Sequence, residues 1–290
     1  MVPGGGVIGL EMGSVWSRLG SQVTVVEFAD GIGGPMDSEM RRSFQRVLEK
    51  QKLKFMLKTK VVSVDASGEG VKVTVEPSKG GEQKILDCDV VLVSTGRAPY
   101  LEGLGFEDVG VKMTSSGRIE VDSHFATSVP SIFAIGDCIP GPMLAHKAEE
   151  DGIACVENFA GLAGHVNYGT VPGIVYTHPE YATVGITEDE AKEQGIEYKV
   201  GKFPFMANSR ARTIDDADGM VKLIADKKTD KVLGVHILGQ AAGELISECV
   251  LAMEYGAASE DIARTCHGHP TLSEAVKEAA MAASSKAIHF

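Results

Sequence analysis

Residues Gly4 to Gly13 read GGGVIGLEMG, and they open an apolar rhythm in which Ile8, Met12, Val15, Trp16 and Leu19 recur at three- and four-residue spacing. That period predicts one face of a helix, with the glycines at its start. Eighteen residues after Gly9, Glu27 closes the apolar run Val23-Thr24-Val25-Val26, which fits a buried parallel strand. A dinucleotide site needs these parts: a tight turn at Gly4, close approach of a pyrophosphate at Gly6, close helix packing at Gly9, and a carboxylate for the ribose hydroxyls at Glu27. Glycine-rich turns without a ligand are common, so the strand and the acid carry the reading. Glu27 is followed by Phe28, Ala29 and Asp30, with no Arg for an extra phosphate, which favours NAD over NADP. Only Met1-Val2-Pro3 precede Gly4, and Pro3 cannot donate to a ladder, so the first strand of this Rossmann-like domain is expected to be missing.

Outward from this stretch, a second helix is expected over Ser38 to Lys52, then strands near Val61 to Asp65, Val71 to Glu76, Gln83 to Leu86 and Val90 to Ser94. Residues 96–169 are rich in Gly and Pro, with a strand expected at Ser131 to Ile135 and a helix at Ala145 to Gly161. That is too little for a core of its own, so we read it as a returning segment of a domain whose other half lies elsewhere. From about Thr170, strands near Thr183 to Ile186, Met220 to Asp226 and Val232 to Leu238 precede helices near Glu244 to Tyr255 and Ser273 to Ser284, an α+β arrangement. The fold class is α/β, divided as 1–95, 96–169 and 170–290.

Composition narrows the function. With 28 Lys and Arg against 40 Asp and Glu, the net charge is −12, which argues against a nucleic-acid partner. No apolar run approaches the roughly 20 residues of a membrane span, so a membrane partner is not expected. The five cysteines are odd in number and never in CxxC or CxxxxC form, so neither a metal site nor a redox pair can be read from them.

Two further places have a chemical reason. Ala134-Ile135-Gly136-Asp137 reads as a strand end followed by a carboxylate at the edge where α/β sheets hold ligands, although Gly-Asp is also a common turn. His269 precedes Pro270 at a helix start, where the dipole disfavours imidazolium and the carboxylate of Glu274 favours it, a balance that suits a general base. Thr271-x-x-Glu274 is equally a capping box, and both roles can coexist. His267 reads as a supporting or solvent-facing side chain, and His146, His178 and His236 as non-catalytic. Ser273 beside His269 does not make a serine hydrolase, since no GxSxG elbow accompanies it.

Taken in order, Gly4 to Gly13, Ser94 to Pro99 (STGRAP), Thr127 to Asp137 (TSVPSIFAIGD), Met143 to His146 (MLAH) and His267 to Glu274 (HGHPTLSE) resemble the flavin-dependent pyridine nucleotide disulfide oxidoreductases over essentially the whole chain. The nearest branch is the one that oxidises dihydrolipoamide, and the match is to its carboxyl-terminal three-fifths. The resemblance implies an NAD-binding domain, a partial FAD-domain segment and a carboxyl-terminal interface domain. It implies that Gly4, Gly5, Gly6, Val7, Ile8, Gly9, Leu10 and Glu11 wrap the NAD pyrophosphate and that Glu27 holds the ribose. Val61 would pack near adenine and Gly96 would border the nicotinamide. Asp137 and the turn Met143, Leu144, Ala145 and His146 would face FAD, of which this chain carries a half-site only. His269 and Glu274 would be the catalytic pair, acting in a homodimer.

The implied reaction passes electrons from a dithiol through FAD to NAD. The implied partner is dihydrolipoamide or the lipoyl domain of a 2-oxoacid dehydrogenase complex, in the mitochondrial matrix or a bacterial cytoplasm. The first FAD fingerprint and the CxxxxC pair of the family are not among these 290 residues, so the chain alone is expected to be inactive. The alternatives are a truncated non-catalytic homologue that binds NAD or a full-length partner, and a shortened gene model. Glutathione and mercuric reductases rank behind, given Glu27 and a tail, Ser285 to Phe290, without a cysteine pair.

Overall fold

The computed structural model describes residues 1–290, which cluster into two compact units: Met1–Gly96 with Pro172–Phe290, and Arg97–Val171. In the first unit, strand β1 (Val2–Pro3) leads through the glycines into helix α1 (Val7–Arg18). Strand β2 (Thr24–Val26), helix α2 (Ser38–Lys50) and strand β3 (Lys54–Met56) follow, and the sheet order is β1-β2-β3, all parallel. The strand expected to be missing is therefore present, as the two residues of β1 paired with β2. The amides of Leu92 and Ser94 donate to the carbonyls of Met1 and Pro3, so residues 91–94 flank β1 on its other side. They form no regular strand, because a two-residue partner offers too short a ladder.

The helix α2 starts where it does because the Asp37 carboxylate accepts from the amides of Glu39 and Met40. Its Met40, Phe44, Val47 and Leu48 fall on one face and are buried. An antiparallel meander of β4 (Thr59–Asp65), β5 (Val71–Pro77) and β6 (Lys84–Cys88) completes this segment.

The second unit holds α3 (Phe106–Val109) and α4 (Ala145–Phe159) around a small cluster of Val111, Ile119, Phe125, Ala134 and Ile139. The strand expected at Ser131 to Ile135 does not form. Only the bridge between Ala126 and Phe133 is present, and the chain tightens into a single turn of 3-10 helix at Gly136–Cys138.

From Pro172 the first unit resumes with β7 (Gly173–Val175), β8 (Glu180–Gly185), α5 (Glu188–Glu193), β9 (Tyr198–Pro204), α6 (Ser209–Thr213), β10 (Met220–Asp226) and β11 (Val232–Gly239). Helices α7 (Ala242–Glu254), α8 (Ser259–Arg264) and α9 (Glu274–Ser284) end the chain. The five strands form one antiparallel sheet of order β7-β8-β11-β10-β9. Because side chains alternate across a strand, Val221, Leu223 and Ala225 face the cluster formed with α7 and α9, whereas Lys222 faces away from it. Tyr181 and Leu238 instead share a buried cluster with Leu10, Val25 and Phe44, so the α1–α2 segment and the sheet have a common core.

Candidate functional site

The glycine turn is built to exclude side chains. Gly4 has φ +104°, and a Cβ there would lie 2.2 Å from the Ser94 carbonyl oxygen; one on Gly9 would lie 2.0 Å from the Gly4 carbonyl oxygen. Gly6, by contrast, faces open space and begins α1 with no side-chain cap. Uncapped first-turn amides carrying the positive end of the helix dipole form a mouth suited to a phosphate. Glu27 stands at this mouth, its Oε2 accepting from the Gly5 amide at 2.6 Å and its Oε1 from the Ala29 amide at 2.7 Å. A carboxylate offers about four lone-pair positions, so two remain for sugar hydroxyls.

The other expected residues are distributed unevenly. Val7 and Ile8 are partly exposed beside the turn, while Leu10 is fully buried and can offer only its backbone. The Glu11 carboxylate accepts from the Tyr176 amide at 2.8 Å, which ties α1 to the strand β7 region. Val61 packs beside Val26 and Val75, next to the strand that ends at Glu27. Gly96, at φ +126°, faces open space at the last residue of this part of the unit.

In the second unit, Gly136 takes φ +73° and its amide donates to Asp151 at 3.0 Å, while Lys147 donates to the Gly136 carbonyl oxygen at 3.0 Å. Lys147 and Asp151 are both fully buried and 2.7 Å apart, so an ion pair one turn along α4 grips the Gly136 turn. Asp137 is carried by that turn, half-exposed and 3.6 Å from Arg97. Leu144 precedes α4 in extended conformation without a side-chain cap, so Met143 to Ala145 present a helix start. A half-exposed carboxylate and an uncapped helix start fit the polar chain and ring edge of a flavin.

His269 and Glu274 are brought together. Nδ1 of His269 lies 2.9 Å from Glu274 Oε1 and 3.1 Å from Oε2, and the Thr271 amide donates to Oε2 at 2.9 Å. Burial alone would raise the Glu274 pKa, but the Thr271 amide and His269 outweigh it and hold the carboxyl below its usual range. The capping box is only half made. Glu274 reaches back to Thr271, but the Thr271 hydroxyl donates to the Gly268 carbonyl oxygen and Ser273 is the residue before α9. With Nδ1 held, Nε2 is the nitrogen left to face a substrate in a cleft lined by Phe203, Asn208, Ser209 and His269. Asn208 steadies the loop by donating to the Thr271 carbonyl oxygen at 2.9 Å.

Of the supporting and solvent-facing roles read for His267, its buried side chain fits the first, with Nε2 2.6 Å from Glu248 and Nδ1 3.0 Å from the Thr265 carbonyl oxygen. Sequence reasoning also missed a second pair, His289 with Glu278, and a buried ion cluster. In that cluster Lys222 Nζ lies 2.9 Å from Asp37, 3.1 Å from Glu39 and 2.7 Å from Glu188. Asp37 and Lys222 are 185 residues apart, a separation that leaves no local signal.

The family model described as pyridine nucleotide-disulphide oxidoreductase matches residues 1–152, and the model of that family's dimerisation domain matches residues 171–280. The chain belongs to this family. It is 66% identical over 290 residues to dihydrolipoyl dehydrogenase 1, mitochondrial, of Arabidopsis thaliana, covering all of this chain and 57% of the relative. It is 64% identical over 290 residues to the mitochondrial dihydrolipoyl dehydrogenase of Pisum sativum, covering all of this chain and 58% of that one. Leghemoglobin reductase of Glycine max is 64% identical over 99% of the chain and 55% of its own length. The chain thus spans somewhat under three-fifths of these curated relatives. Among solved structures, LpdA of Mycobacterium tuberculosis superposes with a TM-score of 0.88 at 27% identity, over 96% of this chain and 60% of that one. This family's fold accords with the α/β architecture described above.

Proposed function

We propose that this chain supplies the NAD site, half of the FAD site and the acid–base pair of a dihydrolipoyl dehydrogenase. The observation that carries the reading is the uncapped glycine turn with Glu27 anchored across it by two backbone amides. Residues 1–95 are the NAD-binding domain, 96–169 the returning part of the FAD-binding domain, and 170–290 the interface domain of a homodimer. Gly4 to Glu11 would seat the NAD pyrophosphate through backbone amides, Glu27 would accept from the adenosine ribose, and Val61 and Gly96 would lie toward the adenine and nicotinamide ends. Asp137 would accept from the flavin side chain, and the turn Met143 to His146 would face the flavin through its backbone amides. NAD and FAD, when bound, supply the electron acceptor and relay for oxidation of a dithiol to a disulfide. His269 takes and returns thiol protons at Nε2, while Glu274 holds Nδ1 and steadies the imidazolium that forms.

The high identity to mitochondrial enzymes supports a lipoyl substrate on a 2-oxoacid dehydrogenase complex and a mitochondrial setting. Without a CxxxxC pair, the 290-residue chain by itself does not turn over dihydrolipoamide. Calorimetry on the purified chain tests the reading: NADH binds, NADPH binds at least tenfold more weakly, and Gly9→Ala abolishes the heat. Absence of any NADH heat from the folded chain overturns it.

A further inference from the structure

A second histidine–glutamate pair stands beside the first. Glu278 lies one turn after Glu274 on α9, is almost wholly buried, and has its Oε1 2.7 Å from Nδ1 of His289. Its other oxygen accepts from the Ile288 amide at 2.7 Å, so the tail is fixed at two points. Ala287 is buried in the sheet–helix core, which adds an apolar anchor, while Phe290 stays largely exposed with its ring edge-on to Phe203. The result is that the His289 ring stands nearly parallel to that of His269, 15° apart, with centroids separated by 6.3 Å. Both pairs line one cleft. Its titratable side chains are His269, His289, Glu274 and Glu278; Phe203, Ala207, Asn208 and Ser209 complete it with uncharged groups.

We propose that His289, held by the buried Glu278, is a positioning residue for the His269–Glu274 pair. Its ring stands 6.3 Å from the imidazole of His269 and adds to the field in which Glu274 holds it. The inference rests on the reading of His269 as the base and adds a regulator to that site. The argument is geometric first. A ring held by a buried carboxylate, on a tail that the same carboxylate and buried Ala287 fix in place, loses much of its freedom, so it is a standing neighbour rather than a passing one. It is also electrostatic: at about 6 Å, a partly exposed charge still acts within a Debye length of about 8 to 10 Å. In keeping with this, burial pushes the Glu274 carboxyl up, and the charge of His289 is among the influences that outweigh it, after the Thr271 amide and His269.

The test uses the 290-residue chain and no cofactor. Carbon-13 NMR follows the Glu274 carboxyl through an acid titration in wild type, His289→Gln and His289→Lys. Glutamine keeps a donor for Glu278 without the charge, and lysine keeps a charge without the ring. The Glu274 titration moves to higher pH in His289→Gln and stays near wild type in His289→Lys. In both variants the nitrogen-15 signals of the His269 ring move, because the neighbouring ring is gone. A Glu274 curve and His269 ring signals that are the same in all three proteins overturn the inference. A His269→Gln enzyme with full turnover would instead remove the base assignment, so the two failures are separable.

Discussion

At the scale of single residues, the glycines of the mouth are the least replaceable. A methyl group at Gly9 would meet the Gly4 carbonyl oxygen at 2.0 Å and the Ser94 hydroxyl at 2.7 Å, so the turn itself must shift. Gly9→Ala is expected to cost about 1–3 kcal/mol, read as a lowered urea midpoint, besides closing the mouth to NADH. Glu274 works differently. Its contact with both His269 and the Thr271 amide makes one carboxylate serve a loop and a base. Glu274→Gln keeps the loop contact but weakens the hold on an imidazolium, so in the complete enzyme turnover falls while the melting temperature moves little. If His269 is the proposed base, His269→Gln in the complete enzyme is expected to lose about 10²- to 10⁴-fold in turnover. The sequence made these residues visible because their partners lie within five positions, as with His269 and Glu274. His289 and Glu278 were invisible for the opposite reason: nothing in the spacing of eleven residues says that a tail folds back on its own helix.

At the scale of elements, what could be read was what has a period. The α1, α2, β10 and β11 segments stand within two residues of their expected bounds, because each is long enough to show a three-to-four or twofold alternation. The strands β3 and β7, three residues each, are too short to show one. The edge strand β9 mixes Lys199 and Lys202 into its run and ends in Pro204, the polar composition by which edges avoid further pairing. Asp37 joins two elements, capping α2 and meeting Lys222 of β10. Replacing Lys222 by Met leaves three carboxylates around an uncharged side chain. A loss of about 3–5 kcal/mol is expected, measured by chemical denaturation.

At the scale of the whole molecule, the same cluster sets the response to acid. Asp37 and Glu39 are lowered and Glu188 falls to about 2: burial raises each, but it is outweighed at Asp37 by Lys222, at Glu39 by Lys202 and then Lys222, and at Glu188 by Lys192 and then Lys222. Burial pushes His236 the other way from its ordinary value, down to about 4. The carboxylates therefore contribute stability that is present above their unfolded pKa values of about 4, and that stability is lost as pH falls through the folded ones. His236 adds a penalty that begins below about 6.5, where the unfolded chain takes up a proton that the folded one refuses. The melting temperature of the chain is expected to decline gently from pH 6.5 to 4 and steeply below. In Lys222→Met the steep part is shallower, a difference that scanning calorimetry reads directly.

The cluster has one more consequence. Because the first unit joins the nucleotide mouth and the antiparallel sheet through shared buried charge and a common apolar core, a nucleotide seated on the glycines should delay melting of the distant sheet as well. Loss of cohesion in that sheet would in turn be felt as a looser grip on the dinucleotide. Under the proposed reading, a grip on the coenzyme and cohesion of the sheet are thus not separate traits, and a change in one carries a tax on the other.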